Sequence, residues 1–559
     1  MRNCKKTVVK IIALLLCTAM LSGCDSGKKP TGSPYQMDVS GKYRLDNKSG
    51  EAIIDDVNFD EYIPVTLSDN NRVFYEIFVG GFSDSNGDGI GDLRGLINRL
   101  DYLNDGDPKS GTSLGIEGIW LMPIFKSGSY HKYDIDDYYT VDPQYGTTDD
   151  LRELASLCHE RGVKLIIDLP INHTSLQNEW FEKFAKAQAA NDTSDEFYDF
   201  YSHSDAKPSG NRVFYKISGA SGYYEGNFTS EMPELNFDNE KVRQTVLDVA
   251  KYYMTEIGID GFRFDAAKYV YFGDEPKNVE FWKWYVDSLR AINPNVYTVA
   301  EVWDSDSVTG KYLPALNCFS FQAAQTDGAI SQAAKTGNVS AYTKYAANFV
   351  YEAKKVRPDA TIVPFIANHD TDRAAGYLSV SEGYAMAAAN VYLLGPGSPF
   401  IYYGEEIGMK GSRGASGTDA NRRLAMLWGD DDPVMDPEGT TYNKDLQING
   451  TVYKQAMDGN SLFNYYKRVI MIRKANPEIA LGSCVAIDNT SNKLGGFVFT
   501  YNGSSVAVIH NTTRDELTIK LDNIKEGKFS SLHEIIGLGK AKLENGVLTI
   551  SGQTSVVLR

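Results

Sequence analysis

Eight short apolar runs recur between residues 73 and 406, and most of them are separated by amphipathic stretches of helical periodicity. Strands that alternate with helices form parallel sheets, and eight such units are what a (β/α)8 barrel requires. At 559 residues the chain exceeds one ordinary core, unless that core is a large barrel. The predicted strands are VFYEIF (73–78), GIWLMP (118–123), VKLIIDL (163–169), GIDGFRFD (258–265), VYTVAEV (296–302), CFSF (318–321), TIVPFIANHD (361–370) and SPFIYYGEE (398–406).

An open, doubly wound sheet is the alternative for the same alternation, but it needs a Gly-rich phosphate turn after its first strand, which this sequence lacks. Two segments depart from the barrel pattern. The gap between DLPINH and GIDGFRFD is long, and a loop of that length is usually functional. After Asn476 the residue pattern changes to alternating β-rich segments without helices, which predicts a small antiparallel β-sandwich.

Acidic side chains stand at or near four predicted strand ends, and histidines stand at two of the same ends: Asp168, Asp265, Glu301, Asp370, His173 and His369. Catalytic groups of such barrels lie at these ends. Arg263 and Asp265 are two residues apart, so they share one strand face, where the guanidinium holds the carboxylate ionised. Glu301 follows the apolar YTVA, and partial desolvation would keep it protonated. A charged and a neutral carboxyl about 5 Å apart are what retaining glycoside hydrolysis requires.

Taken singly, each of these acids is more commonly a structural strand-end cap or ion pair. Their joint occurrence favours a catalytic site. The segments DLPINH, GFRFDAAKY, EVW and FIANHD resemble, in order and spacing, the four sequence regions of glycoside hydrolase family 13, the α-amylase family. The resemblance covers residues 73–476, and a looser match to the family's C-terminal sandwich continues to residue 559.

The resemblance implies a TIM barrel interrupted after its third strand by a small B domain. It also implies that Asp265 is the nucleophile, Glu301 the general acid/base, and Asp370 the carboxylate that grips hydroxyls of the distorted sugar. We divide the chain into a signal peptide (1–23), a tether and N-terminal segment (24–70), the barrel (71–173 and 235–476), the B domain (174–234) and the C-terminal β-sandwich (477–559).

A second group of residues is expected from the resemblance to bind the substrate or support its binding: His131, Tyr133, Asp134, Asp168, His173, Arg263, Lys268 and His369. Tyr133, in YHKYDIDDYY, would form a stacking floor under the sugar at the cleavage point, and Arg263 would orient Asp265. Two positions depart from the family pattern: Tyr269, where many amylases have His, and Glu234, where related members often have Asp.

Lys268, three residues after the predicted nucleophile, is typical in this family of enzymes that cut internal α-1,4 bonds. Enzymes that cut α-1,6 bonds usually have Val directly after the nucleophile, and this chain has Ala266. We therefore expect retaining, endo-acting hydrolysis of α-1,4-glucosidic bonds in starch and maltooligosaccharides. The alternatives are an α-1,6-glucosidase or a transglycosylase on the same scaffold and, in a different class, an inactive anchored glycan-binding protein, which usually loses the nucleophile or the acid.

The segment SDSNGDGIGDL (83–93) has the oxygen-ligand spacing of a calcium loop, with candidate ligands Asp84, Asn86, Asp88, the Ile90 carbonyl and Asp92. An EF-hand sensor is rejected, because a strand-like run precedes the loop and Gly95 stands where the bidentate Glu belongs. An Asp/Asn/Gly-rich surface turn that binds nothing is the other interpretation. Members of the resembling family carry the same loop, which implies a structural Ca²⁺ site.

The N-terminus has a basic start, a short apolar run and the ending LSGC, which resembles a bacterial lipobox. Cys24 would then be lipidated and would hold an exported protein on the outer face of the cell membrane; a plain cleaved signal is the alternative.

The net charge of −17 argues against a nucleic-acid partner. The expected partners are an α-glucan substrate and the membrane, which the protein contacts through the lipid anchor alone. We expect the protein to be a monomer. Three widely spaced cysteines, Cys158, Cys318 and Cys484, predict buried thiols and no disulfide framework.

Overall fold

The computed structural model describes residues 53–54, 67–380, 382–429, 431–488 and 491–559. The predicted signal sequence, Cys24 and most of the predicted tether lie outside the described residues. Within the described part of the chain, no helix is long and apolar enough to cross a membrane.

Parallel strands form the central barrel. In chain order they are Phe74–Ile77, Gly118–Leu121, Lys164–Asp168, Gly261–Phe264, Tyr297–Ala300, Asn317–Cys318 and Phe400–Tyr402. Each of the first five pairs with the next one in the chain, and the last pairs with the first. The predicted (β/α)8 barrel is therefore confirmed.

The seventh barrel unit is not the continuous strand predicted for residues 361–370. It contributes only two single-residue bridges, from Val363 to Phe319 and from Phe365 to Phe400, and these join the sixth unit to the eighth. Pro364 lies between the two bridging residues and has no N–H to donate, so a regular ladder cannot form there. The barrel closes at this point with fewer hydrogen bonds than elsewhere.

The barrel interior is filled by alternate residues of the strands. Phe74, Trp120, Ile166 and Val299 belong to one enclosed apolar cluster, whereas the neighbouring Ile119 packs in the outer layer between sheet and helices. This is the period of 2 that directs successive side chains to opposite faces. Since both faces are buried, the strands read as nearly continuous apolar runs in the sequence.

The helices around and beyond the barrel have ordinary local signals. The helix Thr148–Glu160 begins with a capping box between Thr147 and Asp150, and its apolar face carries buried residues such as Leu151 and Leu154. The α-helices are Leu93–Asn98, Leu100–Leu103, Thr148–Glu160, Glu179–Ala190, Glu240–Tyr252, Glu275–Ile292, Asp306–Tyr312, Ala329–Thr336, Val339–Val356, Tyr384–Leu393, Val452–Met457, Leu462–Ala475 and Pro477–Leu481. A π-helical turn spans Tyr253–Ile257, and 3₁₀ turns lie at Asp69–Asn71, Val79–Gly81, Ala267–Tyr269, Ala374–Gly376, Asp419–Arg422, Lys444–Leu446 and Leu521–Asn523.

The long segment after the third strand has secondary structure of its own. It contains the helix Glu179–Ala190 and a small antiparallel sheet of His203–Ser204, Tyr223–Glu225 and Phe214–Lys216. A bridge between His173 and Glu234 joins the two ends of this segment. Nearer the barrel mouth, Phe125–Ser127 pairs with Ile135–Val141.

The C-terminal region is a two-layer β-sandwich. Its larger sheet contains, in spatial order, Ile53–Ile54, Leu532–Gly537, Thr554–Leu558, Ser504–Asn511, Leu494–Tyr501 and Ser483–Ala486. Its smaller sheet contains Leu517–Lys520, Val547–Ile550 and Ala541–Glu544. Alternate residues of Leu494–Tyr501 face the two layers: Val498 packs against the small sheet, whereas Phe497 and Phe499 join the main core of the barrel region.

Two expectations for this region need correction. The segment after Asn476 is not free of helices, because Pro477 occupies the first position of a short helix, where its missing N–H costs nothing. Cys158 and Cys318 are buried as predicted, but Cys484 is only partly buried, since it lies on the edge strand of the larger sheet.

Candidate active site

The polar site is built by continuing the inward-facing positions of the barrel strands toward their C-terminal ends. Two residues beyond Phe74 comes Glu76, two beyond Ile166 comes Asp168, and two beyond Val299 comes Glu301. The same alternation within the fourth strand places Arg263 two residues before Asp265. The apolar plug of the barrel therefore gives way to a polar layer at the end where barrel enzymes bind their substrates.

Arg263 is the centre of this layer. Its Nη1 donates to both carboxylate oxygens of Asp168, at 3.0 and 2.9 Å, and to Oδ1 of Asp265 at 2.6 Å. Its Nη2 donates to Oε2 of Glu301. The guanidinium also lies over the ring of Trp120, 5.1 Å from its centre. One arginine thus holds three carboxylates close together, in the way that its rigid fork of donors favours.

The exposed fractions of the side chains rank these groups by depth. Asp168 and Arg263 are 0% and 1% exposed, whereas Asp265, Glu301 and Asp370 are 12%, 15% and 30% exposed. Only the last three are open to a ligand entering from solvent. Asp168 therefore lies beneath these three groups, paired with Arg263.

The chain turns sharply after Asp265. Ala266 has φ 44° and ψ 44°, a left-handed conformation that costs a residue with a Cβ energy and that is held here by its surroundings. The amide of Ala267 donates to the carbonyl of Glu301 at 3.0 Å, so the loops that carry the two carboxylates are joined directly. This turn stops the strand at Phe264 and leaves Asp265 at the mouth.

Asp265 and Glu301 lie in different electrostatic environments. Burial raises the pKa of Glu301 to about 8, and the negative charges of Asp265 and Asp370 act in the same direction, against the opposing charge of Arg263. Oδ1 of Asp265 lies 2.6 Å from Nη1 of Arg263, so this carboxylate is paired directly with the guanidinium. A carboxyl whose raised pKa favours the protonated form therefore stands beside a carboxylate held in an ion pair.

Asp370 is gripped from two sides. Nε2 of His369 lies 2.9 Å from its Oδ2, and Nη2 of Arg423 donates to its Oδ1 at 2.9 Å. These two cations outweigh burial and lower the pKa of Asp370, so the carboxylate is ionised. Nε of Arg423 also donates to the backbone carbonyl of His369 at 3.3 Å, which fixes the segment that carries both residues.

Tyr133 forms one wall of the site. Its hydroxyl donates to Asp168 at 3.0 Å and lies 2.7 Å from Nε2 of His369, and its ring stacks on that histidine. His173 lies behind it, with Nε2 3.2 Å from the Tyr133 carbonyl. Burial lowers the pKa of His173, which keeps the ring neutral.

Three of the predicted substrate-binding residues lie at the rim and make no direct contact with the catalytic carboxylates. Asp134 accepts hydrogen bonds from Ser127, at 2.8 Å, and from Ser129. His131 lies 3.8 Å from Asp134, and burial together with the charge of Arg423 lowers its pKa to about 4. On another part of the rim, Nζ of Lys268 donates to the Trp303 carbonyl at 2.9 Å and to Asp304 at 3.0 Å.

Two residues of the network were not found from the sequence. Glu76 is 1% exposed, and its carboxylate lies 2.5 Å from Nδ1 of His369. Its signal was present: an acid in an otherwise apolar strand, at an inward-facing position. Arg423 had no comparable signal, because it lies in an irregular segment after the eighth strand and reaches Asp370 across 53 residues of sequence.

The Asp-rich loop forms a separate, self-contained unit. Asp84 accepts backbone hydrogen bonds from Asn86 at 2.9 Å and from Gly89 at 2.7 Å, while Asn86 and Asp88 each accept one from the residue two positions later. Asp84 is buried and Asn86 and Asp88 are exposed, so the loop closes on itself with oxygens on both its inner and outer sides.

The donor set of this loop suits a hard cation: the candidate ligands are the carboxylates of Asp84, Asp88 and Asp92, the Asn86 amide and the Ile90 carbonyl. Oδ2 of Asp84 and Oδ1 of Asp88 each accept one hydrogen bond and so keep a second lone pair for a metal. Among the described residues, however, no three or more His, Cys, Asp or Glu side chains are grouped to hold a metal ion. Amide and carbonyl oxygens would have to complete the shell.

The structure explains why position 12 of the loop is glycine. A Cβ on Gly95 would stand 2.0 Å from the carbonyl of Ser83, so no side chain can project there. Asp92 instead caps the helix that begins at Leu93, accepting from the Gly95 amide at 2.6 Å. At position 12, where a sensor loop has its bidentate Glu, this loop therefore has Gly95, whose amide is a donor in the helix cap.

A closed (β/α)8 barrel whose mouth presents an arginine-bound carboxylate beside a carboxyl of raised pKa defines an enzyme of the glycoside hydrolase class. The chain belongs to the α-amylase family, glycoside hydrolase family 13: the family described as "Alpha amylase, catalytic domain" matches residues 76–482. The match includes all four motifs and extends from within the first barrel strand to beyond the eighth.

Individual relatives extend the similarity over most of the chain. "Alpha-amylase 3" of Dictyoglomus thermophilum is 36% identical over 498 residues, which cover 88% of this chain and 93% of the relative. A "4-alpha-glucanotransferase" of Thermotoga neapolitana is 28% identical over 472 residues, covering 80% and 97%. The solved structure of Eubacterium rectale Amy13B superposes with a TM-score of 0.81 at 32% identity, covering 89% of this chain and 97% of that one.

Proposed function

We propose that this enzyme hydrolyses internal α-1,4-glucosidic bonds in starch and maltooligosaccharides with retention of anomeric configuration. The observation that carries the proposal is the pair of carboxyls held by one guanidinium. Arg263 keeps Asp265 and Glu301 adjacent at the barrel mouth, and burial raises the pKa of Glu301 so that this carboxyl can carry the proton. This pairing suits a double displacement, in which one carboxylate attacks while the other carboxyl donates a proton.

In the first step, Oδ of Asp265 attacks the anomeric carbon while Glu301 protonates the glycosidic oxygen, so the aglycone leaves as an alcohol. In the second step, the now ionised Glu301 removes a proton from water, which attacks the same carbon and releases Asp265. Two inversions give net retention. Arg263 contacts both carboxyls, so its positive charge stabilises whichever of the two is ionised at each step.

The neighbouring groups are placed to hold the sugar. Asp370 is ionised and 30% exposed, so its oxygens can accept from two hydroxyls of the ring. The ring of Tyr133, which is 9% exposed, lies beside it and stacks on His369. Interactions that tighten as the ring flattens toward the oxocarbenium-like transition state lower the barrier rather than KM alone.

The pH dependence follows from Glu301. Because it must be protonated to act as an acid, activity should be present below its pKa of about 8 and should fall as the pH rises through that value. The mechanism itself is tested by following the first product from maltoheptaose by NMR before mutarotation. An α product supports the proposal, whereas an early β product would exclude Asp265 as nucleophile.

Transglycosylation is a second candidate, favoured by the similarity to a protein named 4-alpha-glucanotransferase. Both activities share the first step and differ in whether water or a sugar hydroxyl accepts the glycosyl group. Incubation with maltotriose separates them: products longer than the substrate would indicate transfer, and glucose with maltose alone would indicate hydrolysis. We favour hydrolysis because of the relative named "Alpha-amylase 3", which is more similar to this chain.

We further propose that the loop containing Asp84, Asn86, Asp88, Ile90 and Asp92 holds one structural Ca²⁺. What supports this is the oxygen-only donor set and the loop's distance in sequence from the catalytic residues. The ion would stiffen the turn that connects the first barrel strand to the helix Leu93–Asn98. It would supply no chemistry to the reaction.

We also propose that the protein is exported and anchored outward on the cell membrane through a lipid on Cys24, as a monomer. The support is the sequence alone: a basic start, a short apolar run and LSGC. Fractionation of cells after growth on radiolabelled palmitate tests the anchor. Labelled protein in the membrane fraction supports it, and unlabelled protein in the medium contradicts it.

A further inference from the structure

A chain of three ionisable side chains runs from inside the barrel to its mouth. Oε1 of Glu76 lies 2.5 Å from Nδ1 of His369, and Nε2 of the same ring lies 2.9 Å from Oδ2 of Asp370. Glu76 lies on the first barrel strand, whereas the other two lie on the seventh barrel unit. The ring therefore stands between two carboxylates, one buried and one open to the substrate.

The surroundings of His369 strengthen this arrangement. The side chain of His369 is 0% exposed and that of Glu76 is 2% exposed, so water does not screen the pair. Burial alone would lower the pKa of His369, but the charges of Asp370 and Glu76 reverse that effect and raise the pKa to about 9. The titratable and charged groups that face the ring are Glu76, Tyr133, Asp168, Glu301, Asp370 and Arg423.

We propose that Glu76 is a positioning residue for catalysis: it holds His369 as a doubly protonated imidazolium, which fixes the ionised Asp370 in the orientation that receives the sugar. This inference rests on the proposed function of Asp370. A ring with protons on both nitrogens donates to a carboxylate on each side. A neutral ring with its proton on Nδ1 would instead direct a bare Nε2 at Asp370, and two acceptors would face each other.

Replacing Glu76 by Gln tests the charge with little change of shape. The amide oxygen still accepts from Nδ1, but the second negative charge is gone, so the imidazolium loses half of its compensation. We expect Glu76→Gln to lower kcat/KM about tenfold or more, the cost of losing one charge-assisted hydrogen bond to a buried group. Glu76→Asp keeps the charge and should retain the protonation state, even where the shorter side chain lowers the rate.

A matched control is Glu117→Gln. Glu117 is also a buried carboxylate of the barrel, 8% exposed, but its Oε2 accepts from the amide of Val73 at the other end of the barrel. This variant should keep the wild-type rate and pH profile. A rate loss equal to that of Glu76→Gln would mean that any buried amide in the barrel disturbs the site, and the inference would fall.

The decisive readout is independent of activity. The chain has seven histidines, so selective ¹⁵N labelling gives a spectrum in which His369 is identified by its loss in His369→Gln. At pH 7 we expect the imidazolium pattern for His369 in the wild type and in Glu76→Asp, and a neutral ring in Glu76→Gln. The positive charge of His369 lowers the pKa of Glu301, so its loss in Glu76→Gln alone should move the upper limb of the activity profile, near pH 8 in the wild type, to higher pH.

A neutral His369 in the wild type, or a charged one in Glu76→Gln, would overturn the inference. If Glu76→Gln fails to fold, the comparison of wild type with Glu76→Asp still decides, because a neutral ring in the wild type is sufficient to refute it. Failure of the proposed function would look different: the wild type would cleave no α-glucan whatever the state of His369.

Discussion

The barrel mouth and the Asp-rich loop are both acidic, but they are assembled in opposite ways. In the loop, Asp84, Asn86 and Asp88 each accept from amides within five residues along the chain. At the mouth, Arg263 reaches Asp168 across 95 residues, and Glu76 reaches His369 across 293. The loop is a local turn motif, whereas the mouth exists only when the barrel is closed.

The loop and the mouth also differ in how much each charged group contributes to the free energy of its site. The exposed loop groups Asn86 and Asp88 accept amide hydrogen bonds where water screens them, so each contributes little on its own. The carboxylates at the mouth share cations in a poorly hydrated space, where removing one charge leaves its partners uncompensated. We therefore expect changes at the mouth to affect the reaction strongly and changes in the loop to affect stability alone.

The largest effect should come from Asp265→Asn. An amide cannot form the glycosyl-enzyme intermediate, so kcat/KM on maltoheptaose should fall by about four orders of magnitude or more. Arg263 would lose an ionised partner but keep Asp168 and Glu301. Circular dichroism and thermal melting should show a folded protein. A loss of less than tenfold would mean that another group attacks the anomeric carbon.

Glu301→Gln provides the contrast within the mouth. It should be nearly as severe on maltoheptaose, because the sugar leaving group needs a proton. An α-maltosyl fluoride needs far less protonation as its leaving group departs, so this variant should keep much more of its first step on the fluoride. Equal losses of Glu301→Gln and Asp265→Asn on both substrates would contradict the assignment of separate roles.

The difference between local and long-range assembly also determines which features could be predicted from the sequence. Strand ends, the period of 2 and the four motifs were sufficient for the barrel and for the placement of Asp265, Glu301 and Asp370 at its mouth, because those residues sit at fixed positions relative to their own strands. Arg423 was missed because nothing within its own segment marks it. The seventh unit was predicted as a strand because its apolar composition outweighed Pro364, whose missing donor reduces it to bridges.

An intermediate effect is expected from Arg423→Lys. Lysine keeps the charge near Asp370 but cannot also donate to the His369 carbonyl and the Tyr130 hydroxyl, which Arg423 contacts at 3.3 Å each. We expect kcat/KM to fall about tenfold to a hundredfold, the equivalent of about 1.4 to 2.7 kcal/mol. Steady-state kinetics on maltoheptaose measure this loss.

The neighbouring residue supplies the control for that prediction. Arg422 pairs with Asp372 and Asp419, both at 2.9 Å, and makes no contact with Asp370. Arg422→Lys should therefore change kcat/KM less than threefold or so, the scale of an exposed ion pair. Similar losses in the two variants would show that the whole segment matters rather than the contact with Asp370.

The smallest effect on the reaction should come from Asp88→Ala, which tests the loop and its proposed Ca²⁺ together. If the ion binds, calcium at a hundred times its dissociation constant stabilises the wild type by about 2.7 kcal/mol, and chelator removes that gain. Asp88→Ala should abolish this response in a thermal melt and leave kcat unchanged, since Asp88 is exposed and contacts no residue of the mouth. Asp107→Ala is the matched control, because Asp107 also accepts one amide two residues later, from Lys109 at 2.9 Å, but lies outside the loop. It should lose the same small turn contribution and keep the calcium response.

If the melting temperature of the wild type changes with neither calcium nor chelator, the loop is a turn that binds no metal. A fall in kcat for Asp88→Ala would show that the loop and the mouth are coupled.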